Sequence, residues 1–215
     1  MSESLYDQRN AIIREAEAST WEPEHEFSVF NQMDHSFYDK LKPAFTYKYK
    51  IFRAIAKILN PSTITELGTC AGSAIDAYND GADNLTFYQG YDIFSVVTHE
   101  DTGRAWDIME RAELVLSTRG VPHKLARVDL RTLSSVKSAD LICVDAGHTY
   151  RDAYQDLRLA FRAKPRHVFL DDYAYEVALA FEDIERGFME QINATSQIDY
   201  ICGGGLLIEL KDPAH

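Results

Sequence analysis

The stretch ITELGTCAGSA, residues 64–74, decides how the chain is read. A β-rich run, Thr63–Leu67, stops at Gly68; Gly72 completes a G-x-x-x-G pair, and Ser73 opens a helical pattern. A strand that turns through glycine into a helix is the first half of a β-α-β crossover, and the glycines let backbone approach whatever sits at the turn. The middle glycine of the dinucleotide fingerprint is missing, because Cys70 stands there. Glu66, just ahead of the first glycine, also opposes a pyrophosphate at the helix amino end. Such a turn suits a ligand with positive charge and no phosphate.

Outward from this turn the alternation repeats. β-rich runs cover residues 85–91, 123–128, 139–144 and 167–170. Helical spacing of apolar residues marks 73–78, 104–117, 150–163 and 176–192. Strand and helix in alternation predict an α/β fold, a Rossmann-like doubly wound sheet of mostly parallel strands. The tail IDYICGGGLLIEL, residues 198–210, offers two β-runs joined by three glycines, too short a link for a parallel crossover. It predicts an antiparallel C-terminal hairpin.

Ahead of the first strand, helical patterns cover 4–18 and 47–59, the second stopped by Asn60-Pro61. Residues 1–46 therefore read as a helical N-terminal extension, and 47–215 as the ligand-binding domain. The extension is rich in aromatics, among them Trp21, Phe27, Phe30 and Phe45, and contains His25 and His35. It suits a lid over the site or the contact of a homodimer.

Composition narrows the partners. The 215 residues are 46% hydrophobic and carry a formal net charge of −12. A surface so acidic repels a phosphate backbone, so nucleic acid is not an expected partner. No apolar run approaches the ~20 residues of a membrane-spanning helix, and no membrane partner is expected. Three scattered cysteines, Cys70, Cys143 and Cys202, suit reduced thiols and a cytoplasmic location.

The placement of the acids is more informative than their number. Each parallel run ends in carboxylate: Glu66, Asp92, Asp129, Asp145, and Asp171 with Asp172. In an open α/β sheet, ligands bind beyond the carboxyl ends of the strands, so these acids share the ligand edge. Glu66 suits the sulfonium and amino group of S-adenosylmethionine (SAM), and Asp92 can accept from both hydroxyls of a ribose. A plainer reading is that some of them cap the helices that follow.

With these residues in hand, positions 47–211 resemble the class I SAM-dependent methyltransferases. More narrowly, VDAGHTYRDAYQDL at 144–157 with VFLDDY at 168–173 is similar to the D-G-x-H-[ST]-Y…D-L and D-D-Y signatures of small-molecule O-methyltransferases. Those signatures mark the macrocin O-methyltransferase-like and cephalosporin-hydroxylase-like groups. The resemblance implies methyl transfer from SAM to a hydroxyl of a small-molecule acceptor, a secondary metabolite or a sugar. It places Glu66, Gly68, Gly72 and Ser73 in the cofactor loop, Asp92 at the ribose and Asp129 near the adenine. The signature carries glycine and an acid where this chain has Ala146 and Gly147.

Three carboxylates converging at neighbouring strand ends need a cation or protons between them. Asp145, Asp171 and Asp172 are accordingly expected to hold Mg²⁺, which takes carboxylates with waters or substrate oxygens around it. The alternative leaves Asp145 on the cofactor's amino group and uses no metal. His148 is the candidate general base, since an imidazole can take a proton at neutral pH. Tyr150 is expected to pack or to orient Asp145.

Overall fold

A computed structural model describes residues 4–23, 35–94, 96–98 and 105–211. Two helices open the chain, α1 (Leu5–Ala18) and α2 (His35–Leu59), followed by β1 (Thr63–Leu67), α3 (Ser73–Gly81) and β2 (Phe87–Asp92). A small antiparallel pair comes next, β3 (Val96–Thr98) and β4 (Ala105–Asp107), then α4 (Ile108–Arg119) and β5 (His123–Arg127). The remainder is β6 (Leu141–Val144), α5 (Tyr150–Arg162), β7 (His167–Leu170), α6 (Tyr175–Phe188), β8 (Ile192–Ile198) and β9 (Gly205–Leu210).

Seven strands form one sheet in the order β5-β2-β1-β6-β7-β9-β8. All pairings from β5 to β7 are parallel, whereas β9 runs antiparallel to both β7 and β8. The doubly wound sheet and its antiparallel end are thus those expected. The chain leaves β1 toward β2 and β5, then returns to the other side of β1 with β6. That reversal opens a crevice between the loops after β1 and β6, the place where such sheets bind ligands.

The central strands are buried along their whole length, LICV in β6 and HVFL in β7, as strands covered by helices on both faces must be. One apolar cluster joins α1, α2, α3 and α4 through Ile12, Phe52, Ile55, Ile75 and Leu116. Another joins α5 and α6 through Leu157, Phe161, Ala180 and Ile184. Phe52 stacks on Tyr78 of α3 and meets Phe169 of β7 edge-on, so α2 is tied into the core rather than appended to it.

Four expectations about elements need correction. The helix expected over 47–59 begins at His35, so the division at residue 46 falls within α2. The pattern expected from residue 104 becomes helical only at Ile108, because Asp107 accepts from the Met109 amide as the N-cap, at 2.9 Å, and residues 105–107 pair with β3. The last helix stops at Phe188 rather than 192, and the first arm of the hairpin is 192–198, not the run after Ile198. Residues Ile201–Gly203 form one turn of 3₁₀ helix in the connection. His25, Phe27 and Phe30 lie outside the described residues. No helix among the described residues is long and apolar enough to cross a membrane.

Candidate active site

The turn after β1 is set by close backbone contact. The Gly68 amide donates to the Tyr91 carbonyl of β2 at 2.8 Å, and Asp145 of the next loop donates its amide to the Leu67 carbonyl at 2.8 Å. Gly68 has φ +97°, and a Cβ on it would stand 2.1 Å from the Asp145 carbonyl oxygen. Only glycine fits both the left-handed backbone and that contact. Gly72, at φ +84°, is the N-cap of α3 and offers no side-chain cap.

Asp92 holds this turn together. One of its oxygens accepts from the Cys70 amide and the other from the Phe94 amide, each at 2.8 Å. A carboxylate has about four acceptor positions, so sites remain for a ligand's hydroxyls. Glu66 lies deeper. It is buried, accepts from the Tyr88 hydroxyl through Oε2, and has no partner on Oε1. Burial pushes its carboxyl up to about 8 although the Tyr88 bond works the other way.

These residues line one cavity of about 650 Å³. Glu66, Gly68, Ser73, Asp92, Asp129, Asp145, His148 and Asp172 all line it; Gly72 and Asp171 do not. Ile93, whose side chain is largely exposed, adds an apolar surface beside Asp92. Asp129 accepts from Nε and Nη2 of the Arg131 guanidinium, at 2.8–3.1 Å, and that pairing holds its carboxyl below the usual range. Its lone pairs are thus largely committed to Arg131, which lines the cavity beside it.

The far end of the cavity contains a residue that the sequence reading counts only in the densest basic stretch of the chain, Lys42, Lys48, Lys50, Arg53 and Lys57, and not among the site residues. Lys48, on α2, is buried and brings its Nζ to within 3.8 Å of Asp145 and 3.7 Å of Asp172, and into direct contact with Asp171. Burial alone would lower the ammonium, but the carboxylates of Asp145, Asp171 and Asp172 outweigh it and raise it. Burial, then Asp171, raises the Asp145 carboxyl, with Lys48 opposing. Asp172 is raised by the same two causes, against Lys48 and His148. The available signal was a lysine on an apolar stripe: Phe45, Lys48, Phe52 and Ile55 share one face of α2.

Asp171 is held from two sides. The Tyr200 hydroxyl donates to its Oδ1 at 2.5 Å, and Lys48 takes the other oxygen. Asp171 does not line the cavity, so the expected set Asp145, Asp171 and Asp172 does not face it together. A different group remains: Asp145, His148 and Asp172 each offer a ligand atom within 4.8 Å of the others. His148 is exposed, with Nδ1 3.5 Å from Asp172 Oδ2. Tyr150 turns away, donating its hydroxyl to Asp183 at 2.7 Å, and does not orient Asp145.

The departure at Ala146-Gly147 has a steric cause. A Cβ on Gly147 would stand 2.2 Å from the Asp152 Cβ, so the start of α5 leaves no room for an acidic side chain there. Asp152 and Asp156 of α5 face the cavity instead. Asp156 is buried, accepts from the Gly147 amide at 3.3 Å, and is pushed up to about 7 by burial.

The strand order, with its reversal at β1 and its antiparallel end, is that of the Rossmann-like fold found in class I SAM-dependent methyltransferases. Among solved structures, the chain is similar to the SAH-bound methyltransferase PaMTH1 of Podospora anserina, with TM-score 0.55, 16% identity, and 98% of this chain and 91% of that one covered. It is also similar to the O-methyltransferase TomG of Streptomyces achromogenes, involved in tomaymycin synthesis and solved in complex with SAM, with TM-score 0.53, 14% identity, and coverage of 95% and 98%. A methyltransferase from Geobacter sulfurreducens gives TM-score 0.54, 14% identity, and coverage of 87% and 90%. No protein-family model and no curated protein matches the sequence.

Proposed function

We propose that the protein is a SAM-dependent O-methyltransferase that moves a methyl group to a hydroxyl of a small molecule, a secondary metabolite or a sugar. The observation that carries this reading is one cavity with two chemically distinct ends. A turn for a cationic, phosphate-free cofactor, Glu66-Leu67-Gly68 with Asp92, is at one end, and a His–Asp pair is at the other. Asp92 suits the ribose, and Ile93 with Arg131 offers faces for the adenine. The uncompensated Oε1 of Glu66 suits the positive charge of the methionine part.

In the transfer, the acceptor oxygen attacks the methyl carbon and the C–S bond breaks, leaving S-adenosylhomocysteine. The hydroxyl proton goes to His148 Nε2, with the Asp172 carboxylate 3.5 Å from Nδ1 on the other side of the ring. Holding the oxygen in line with the methyl carbon contributes at least as much as the base, up to ~7–11 kcal/mol in well-aligned systems.

A second reading assigns Mg²⁺, and its supporting observation is the grouping of Asp145, His148 and Asp172. The ion would polarise the acceptor hydroxyl and lower its pKa. Titration of S-adenosylhomocysteine into the protein, followed by a methyl-acceptor panel with and without EDTA, tests both. Absence of cofactor binding would sink the methyl-transfer proposal; turnover abolished by EDTA and restored by Mg²⁺ would select the metal reading over the base. A cofactor-binding protein without catalysis would bind S-adenosylhomocysteine and turn over nothing on the panel.

A further inference from the structure

Lys48 is more deeply buried than the cations of ordinary surface ion pairs: its side chain is 7% exposed. It is carried into the site on the apolar face of α2, with the Phe52 ring one turn further on, 5.5 Å from Nζ to ring centroid. An ammonium in such surroundings is stable only among compensating charges. Here three carboxylates from two different strand ends, after β6 and β7, lie within 4 Å of the single nitrogen. One of them, Asp171, is itself 3% exposed and fixed from the other side by Tyr200.

We propose that Lys48 is a positioning residue, a tethered cation in the charge role that a diffusible divalent metal would otherwise fill at this acid cluster. This rests on the methyl-transfer reading and deepens it toward metal-independent transfer. The ammonium draws Asp145 and Asp172 toward one point, leaving Asp145 facing the cavity and Asp172 beside His148. A divalent ion on Asp145 and Asp172, at roughly 2.1 Å from their oxygens, would stand within about 6 Å of this fixed charge and be repelled by it. The same ammonium ties α2, and with it the Phe45 and Tyr49 wall of the cavity, to the strand ends.

The prediction runs opposite to what structural damage would give. Binding of Mn²⁺ is measured by the loss of its free-ion EPR signal in the wild-type protein, K48M and K48R, alongside S-adenosylhomocysteine affinity in each. K48M is expected to bind Mn²⁺ at least about tenfold more tightly than wild type, since a like charge near the ion has been removed. K48R, which keeps the charge, is expected to bind it as wild type does. Where K48M is too unstable to measure, K48Q retains a donor for Asp171 and carries the same comparison. Equal or weaker Mn²⁺ binding in the neutral variant, or K48R behaving like K48M, overturns the proposal. If S-adenosylhomocysteine fails to bind wild type, the methyl-transfer reading falls with it. If it binds and Mn²⁺ affinity ignores Lys48, this inference falls alone.

Discussion

At one end of the cavity, the Gly68 turn is held from both sides: the Tyr91 carbonyl and the Asp92 carboxylate of β2 accept from the Gly68 and Cys70 amides, and the Asp145 amide after β6 donates to the Leu67 carbonyl. At the other end, the acids after β6 and β7 are gathered by a lysine from α2, an element that enters the fold before the first strand. The first end is a matter of backbone geometry, and its side chains are placed by the turn itself. The second is a matter of charge, and its geometry depends on a long-range contact. Disturbing them should therefore produce different failures: the turn should lose stability and cofactor affinity together, and the acid end should lose turnover while still binding cofactor.

The largest expected effect is at the acid end. H148A should lower turnover by roughly 10²–10⁴-fold if His148 takes the acceptor proton. The imidazole is exposed and its ion pair with Asp172 is long at 3.5 Å, so S-adenosylhomocysteine affinity and melting temperature should stay near wild type. Single-turnover rates with an accepted hydroxyl compound decide it; an unchanged rate would remove the base assignment and erase the contrast between the two ends.

At the turn, G68A should cost about 3 kcal/mol or more, since the added Cβ meets the Asp145 carbonyl and the backbone is left-handed. A melting-temperature fall of roughly 6 °C or more follows for a domain of this size. G72A shares the left-handed backbone, but its Cβ would come no nearer than 3.2 Å to Ala112 and Ile75. It should cost only about 1–2 kcal/mol. Equal melting temperatures for the two variants would mean that the approach of the β1 and β6 loops does not define the turn.

The contrast also explains what could be read from the sequence. The strands Thr63–Leu67 and His167–Leu170 were legible to the residue because their apolar runs end abruptly at glycine or acid. Gly68 and Asp92 were legible because a strand-to-helix turn is a local event. The β8 strand, INATSQI, was not legible. It alternates small and polar residues at a sheet edge, where half-exposure removes the apolar signal, and a helical pattern from α6 ran over its start. Lys48 was hidden for a related reason: its partners are far away in the chain, and a lysine in a basic stretch resembles a solvated one. The acids of VFLDDY were legible as a pair, but which of them faces the cavity depends on Tyr200 and Lys48.

D92N sharpens the comparison within the turn. The amide keeps one acceptor oxygen for Cys70 or Phe94 but presents a donor to the other amide. Bonds to charged groups contribute roughly 1.5–3 kcal/mol, so SAM affinity should fall about tenfold or more. Calorimetry on folded D92N measures this directly, and affinity equal to wild type would detach Asp92 from the ligand.

The smallest effect concerns the proton on Glu66. Burial holds this carboxyl at about 8, against an ordinary value of 4.5. Between those two values the folded protein keeps a proton that the unfolded chain has released, so the contribution of Glu66 to stability falls as pH rises through that window. A cationic ligand reverses the balance. If SAM places positive charge against Oε1, binding favours the carboxylate and expels the proton. Affinity should then rise by roughly tenfold or more between pH 6.5 and 8, and level off above about pH 9. Heats of binding in buffers of different ionisation enthalpy report the released proton, and E66Q should abolish both the release and the pH dependence. A wild-type titration with no proton release would mean that Glu66 stays neutral in the complex. It would then serve the turn as a hydrogen-bonding group on Tyr88, and the cofactor end would be built from backbone and Asp92 alone.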